Sequence, residues 1–143
     1  MATGITSLLS PQTHRRIDQL TFPGLLATAA WMARWDRRAA ALILATAAAE
    51  GMAYLTTDYP PAVLPLMSFL AHNRVATAHG ALVIGLGLTL SGLSLKGRLA
   101  LCTLGTMPIT LAALSDAREP SPRSFEGPGA TVGRAAGSPL SIR

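Results

Sequence analysis

The sequence predicts an all-α fold: an integral membrane four-helix bundle with a short interfacial segment after the second helix and an extended C-terminal tail. Three observations carry this expectation. Half of the 143 residues are hydrophobic and only 13% are charged, against about 25% charged in an average soluble domain. The charges are segregated: Glu50 is the only acid or base between Ala39 and Thr57, and His79 the only ionisable residue between Val75 and Leu95. The apolar stretches between the charged loops are each about a bilayer's worth of helix.

The first helix is expected at about 11–35. Ser10 fits as N-cap and Pro11 as the first helical residue, where its missing N–H is no loss. Its apolar part is short, and Pro23-Gly24 marks a kink site. The second, about 37–57, stops at "TDYPP", because consecutive prolines cannot continue a helix. The run "PPAVLPLMSFLAHN" is apolar but short and broken by proline, so it reads as interfacial or re-entrant. The third helix is expected at about 73–93 and the fourth at about 97–115, with Pro108 tolerated because neighbours can satisfy the freed carbonyl. Residues 117–143 form a tail rich in Pro, Gly, Ser and Arg, a composition that buries no core by itself.

Small residues mark the expected packing faces. Ala41, Ala45 and Ala49 recur every fourth residue on the second helix, and Gly80, Gly85, Gly87 and Gly92 stud the third. Membrane helices approach each other closely through such surfaces. Gly85-Leu-Gly87 is no dinucleotide fingerprint, since it sits mid-helix with no strand before it.

Net charge is +5, but the bases are scattered over loops and tail, without the basic stripe of a nucleic-acid surface. The single cysteine, Cys102, excludes an internal disulfide and a zinc ribbon and reads as a core residue. The N-terminal stretch lacks the basic-then-apolar order of a cleaved signal, so the first helix is expected to act as an uncleaved one. Arg34, Arg37, Arg38, Lys96 and Arg98 crowd two very short loops. The positive-inside rule then favours cytoplasmic loops, with both termini on the opposite side of the membrane.

Polar groups gather near one face. Glu50 lies about seven residues before the end of its helix and His79 about six residues into the next, each roughly 10 Å deep at 1.5 Å per residue. Asp18 lies at a similar depth on the first helix, with His14 one turn above it. His79 is the expected partner of Glu50, and Asp18, Glu50, His79 and His14 are expected as one buried polar cluster. A carboxylate at that depth costs a few kcal/mol unless it is paired, protonated or wet. The cluster fits either a hydrogen-bonded register lock or a proton-handling or ligand site. The sequence requires no cofactor; haem or pigment contact stays open, and metal rests on convergence alone, because no HxxxH, CxxC or HExxH spacing occurs. No Ser/His/acid arrangement stands out and Cys102 has no basic neighbour, so catalysis is not expected.

"HRRID" (His14–Asp18 region), "TDYP" (Thr57–Pro60) and "HG" (His79-Gly80), spaced over four hydrophobic segments, resemble small uncharacterised bacterial four-helix membrane proteins, loosely of the SPW-repeat type. The resemblance spans about residues 12–115. It implies a four-helix membrane fold and carries no activity.

Two functional expectations follow. One is a non-catalytic accessory or assembly subunit of a larger bacterial membrane complex, photosynthetic or respiratory. It would pack on other membrane subunits through its small-residue faces, with Arg118, Arg123 and Arg134 of the tail meeting acidic groups. The other is a stand-alone membrane protein that binds a ligand, haem or pigment, or relays protons, through Asp18, Glu50 and His79.

Overall fold

Each helix starts on a side-chain cap, and the caps set the boundaries. The oxygens of Ser10, Asp36, Ser68 and Ser94 accept from the backbone N–H three residues on, at 3.2, 2.9, 3.3 and 3.0 Å. The computed structural model describes residues 8–58 and 63–115; these form α1 (Pro11–Met32), α2 (Arg37–Thr56), α3 (Phe69–Thr89) and α4 (Leu95–Leu114), with no strand among them. The chain runs up and down, so α1–α2 and α3–α4 are hairpins, and α2 packs against both helices of the second hairpin.

Three boundaries correct the sequence expectation. Helix α3 begins four residues earlier than expected, because Ser68 provides its cap. It ends at Thr89, so Gly92 belongs to the α3–α4 turn, where its φ of 78° suits a residue without Cβ. Helix α1 stops at Met32, leaving a turn that delivers Asp36 as the cap of α2.

Only α2 and α4 are long and apolar enough to cross a membrane by length and composition. Helices α1 and α3 fall short because their opening turns carry His14, Arg15, Arg16 and Asp18, and His72, Asn73 and Arg74. Of the four crossings expected, two helices therefore meet this test. Pro23 and Pro108 lie inside α1 and α4, and both helices continue through them.

The core is built from small and aliphatic side chains: Leu25, Ala29, Met32, Ala39, Ala40, Ile43, Ala47, Val83, Leu93 and Leu101. Helices α3 and α4 touch backbone to backbone. A Cβ at Gly80 would run into the carbonyl oxygen of Gly105, and one at Gly105 into that of Gly80. Gly87 packs similarly on Leu101 and Cys102. The packing face of α2 is another matter. Ala41, Ala45 and Ala49 are exposed, whereas Ala39, Ala40, Ile43 and Ala47 are buried. The four-residue alanine stripe points away from the bundle, and the helix packs inward through the neighbouring stripe.

Large apolar side chains remain on the outside, including Leu20, Trp31, Leu44, Met52, Leu82, Leu88 and Leu99. After α2, residues 63–67 turn back on the helix end. The N–H groups of Val63, Leu66 and Met67 donate to the carbonyls of Leu55 and Thr56 at 2.9–3.0 Å. These are carbonyls that the last turn of a helix leaves without intrahelical partners. The expected interfacial segment is thus in part a C-terminal cap for α2; its Tyr59, and the tail residues Arg118, Arg123 and Arg134, lie outside the described residues.

Candidate functional site

At the end of the bundle where α1 and α3 begin, polar side chains collect in two groups rather than the expected one. The first joins α1 and α3. His14 Nε2 lies 3.4 Å from Asp18 Oδ1, and His72 Nε2 lies 3.3 Å from Asp18 Oδ2. His14 and His72 are 1% and 2% exposed. They stand edge to face, with ring centroids 5.5 Å apart, and the ring of Phe69 packs on both.

The opposite nitrogens are also engaged. Ser115 Oγ–H donates to the Leu111 carbonyl at 2.7 Å, so at 2.6 Å from His14 Nδ1 it accepts that nitrogen's proton. Thr57 Oγ1–H donates to the Ala53 carbonyl at 2.6 Å and accepts from His72 Nδ1–H at 2.9 Å. One hydroxyl proton serves one acceptor, so both rings carry their proton on Nδ1. These contacts also tie the ends of α4 and α2 to the starts of α1 and α3.

The second group is the expected pair. His79 Nδ1–H donates to Glu50 Oε1 at 3.0 Å, with the two side chains 20% and 15% exposed. Glu50 and His79 open onto a cavity of about 300 Å³ between the helices, walled by Leu25, Val83, Leu104, Met107, Leu111 and Leu114. Gly80, Gly105 and Pro108, where α3 and α4 touch, also line it. With Nδ1–H on the carboxylate, neutral His79 keeps Nε2 as an acceptor.

Asp18 therefore parts company with Glu50 and His79. It lines a separate apolar groove between α1 and α2, with Phe22, Leu26, Leu44, Met52 and Leu55. The residue that sequence reasoning missed is His72, which a third helix expected at about 73–93 leaves in the loop before it. The signal was present: Pro65 and then Ser68 before "FLAH" is a helix-start pattern, and Ser68 as cap places His72 in the first turn.

The other end is built differently. Asp36 is 7% exposed; besides capping α2 it accepts from the Ser94 N–H at 2.7 Å, joining the α1–α2 turn to the start of α4. The Ala39 amide first, and the Ser94 amide with it, hold the Asp36 carboxyl below the usual carboxylate range, against the opposing effect of burial. Arg98 donates to the carbonyls of Gly87, Leu88 and Leu90 at 3.1, 2.8 and 3.0 Å, closing the C-terminus of α3.

No protein-family model matches the chain, and neither a curated protein nor a solved structure matches it.

Proposed function

We propose that the protein is a membrane-embedded four-helix bundle that binds a small, largely apolar ligand carrying one polar group. The ligand occupies the cavity beside Glu50 and His79. The observation that carries this reading is a cavity with aliphatic walls and one carboxylate–imidazole pair at its edge. That is the usual make-up of a small-molecule site, in which apolar walls give affinity and a few polar groups give orientation. Glu50 fixes the tautomer of His79, and Nε2 accepts a hydrogen bond from the ligand. A volume of about 300 Å³ is at the lower end of such sites, which favours a compact ligand over a macrocycle such as haem.

The membrane setting is supported by the outer surface. The apolar spans of α2 and α4 are only 28% and 17% buried within the bundle, the reverse of a soluble core helix. Lipid, or another membrane subunit, covers the rest. Solvent extraction of the protein purified in mild detergent tests the ligand reading. Mass spectrometry is expected to find one compound in constant ratio to protein, lost in His79→Ala. A clean extract from wild-type protein, with no compound shifting its melting temperature, counts against it.

A second reading is favoured by a separate observation: the outward stripe of Ala41, Ala45 and Ala49. Small residues left outside are suited to close approach by a helix of another chain. In this reading the bundle is an accessory subunit of a bacterial inner-membrane complex, respiratory or photosynthetic, held also by its tail. Native electrophoresis from mild detergent tests it, since migration as a free monomer would argue against a stable complex.

A further inference from the structure

The geometry points to a divalent transition-metal site formed by His14, Asp18 and His72, separate from the ligand cavity. One ligand atom from each residue lies within 4.8 Å of the other two. The two imidazole nitrogens that face Asp18 are the Nε2 atoms. The hydroxyls of Ser115 and Thr57 hold the protons of both rings on Nδ1. Neutral rings in that tautomer aim two lone pairs at a carboxylate, so three electron-rich groups converge.

Protons on Nε2 would satisfy the charges, but the distances favour a metal ion. A charge-assisted N–H···O contact is short, about 2.7–2.9 Å, whereas these separations are 3.4 and 3.3 Å. Two ligands on one tetrahedral ion with bonds of about 2.0–2.1 Å stand roughly 3.3–3.4 Å apart. Protonating both rings would also place two imidazolium ions 5.5 Å apart, centroid to centroid, in a buried site. A metal ion avoids this, binding both neutral rings through their lone pairs, and the widest separation in the set closes as the side chains draw in.

The surroundings have the form of a metal site's outer shell. A ligating histidine characteristically donates its other N–H to a fixed acceptor, which orients the ring and strengthens it as a base. Here each acceptor is a hydroxyl that is itself anchored on a helix carbonyl. Phe69, 1% exposed, covers the rings with an apolar wall. Two imidazoles and one carboxylate suit zinc or ferrous iron, with coordination positions left for water or a substrate.

Zinc is the practical probe. The full chain, purified in mild detergent and stripped with chelator, is reloaded with Zn²⁺, desalted, and its metal counted by mass spectrometry. One ion per chain is expected. His14→Ala and His72→Ala should each reduce retention to background, and Thr57→Ala should weaken affinity by about tenfold or more through the outer shell. Glu50→Gln, in the other group, should leave the count unchanged. Circular dichroism checks the helices of each variant, and His14→Gln and His72→Gln replace any alanine variant that fails to fold. Wild-type protein with Co²⁺ gives a readout that needs no variant: new visible ligand-field bands are expected. Trace zinc in the wild type, full zinc in both histidine variants, or the spectrum of the aqueous cobalt ion would each overturn the site.

Discussion

The two ends of the bundle use buried acids in opposite ways. At the lower end, Asp36 accepts from two backbone amides: that of Ala39, which caps α2, and that of Ser94, which joins the α1–α2 turn to the start of α4. At the upper end, Asp18 and Glu50 face imidazole rings, and both border cavities. An acid on fixed amides has one state and no vacant partner, which is what a joint needs. An acid facing imidazole belongs to a pair whose charge can change, and in the Glu50–His79 pair both side chains border a cavity. The lower end is a structural joint, and the upper end is the proposed working end.

The comparison is broken most readily at the joint. Asp36→Ala removes a helix cap and leaves the Ser94 N–H without its acceptor, at a combined cost of about 3 kcal/mol. Denaturant unfolding in detergent, followed by circular dichroism, checks this; a change under about 0.5 kcal/mol would mean that Asp36 is not a joint.

Acid weakens the same contact by a smaller amount. The carboxyl of Asp36 is depressed in the folded state, so its contribution is fully present above the ordinary value of 3.8. It is lost as pH falls from there through the lower folded value. Unfolding midpoints of wild type and Asp36→Asn should therefore converge as pH is lowered below that range, and a constant gap would contradict the assignment.

His79→Ala sharpens the contrast from the working end. The pair is partly exposed, so stability should fall by about 1 kcal/mol or less, while bound ligand should be lost. An effect on stability as large as that of Asp36→Ala would make Glu50–His79 another structural lock. The smallest effect is expected at the outward stripe. Ala45→Leu lies on the surface and should change unfolding by no more than about 0.5 kcal/mol, while disrupting any complex built on that face. Native electrophoresis beside the unfolding curve separates the two effects.

Local chemistry made much of this legible in the sequence. Ser10-Pro11 and "TDYPP" announce the start of α1 and the end of α2, and both stand within a residue of expectation. The Glu50–His79 contact follows from two polar residues at equal depth on neighbouring antiparallel helices. What could not be read was rotation about the helix axis. Both the stripe of Ala41, Ala45 and Ala49 and that of Ala39, Ile43 and Ala47 are apolar, and packing against the neighbouring helices decides which is buried. Asp18 went astray for a related reason: depth placed it level with Glu50, but its direction leads to His72, whose helix starts at the overlooked cap Ser68. Gly80 and Gly105 show the same division, since composition announces close packing and tertiary structure chooses the facing pair.

The central claim, that the upper end binds a ligand while the lower end holds the bundle together, is tested most directly in Glu50→Gln. The quantity is ligand extracted per folded chain, measured alongside the unfolding midpoint. The account predicts at least a tenfold fall in ligand with the midpoint essentially unmoved. Wild-type ligand content, or a joint collapse of ligand and midpoint, would contradict it.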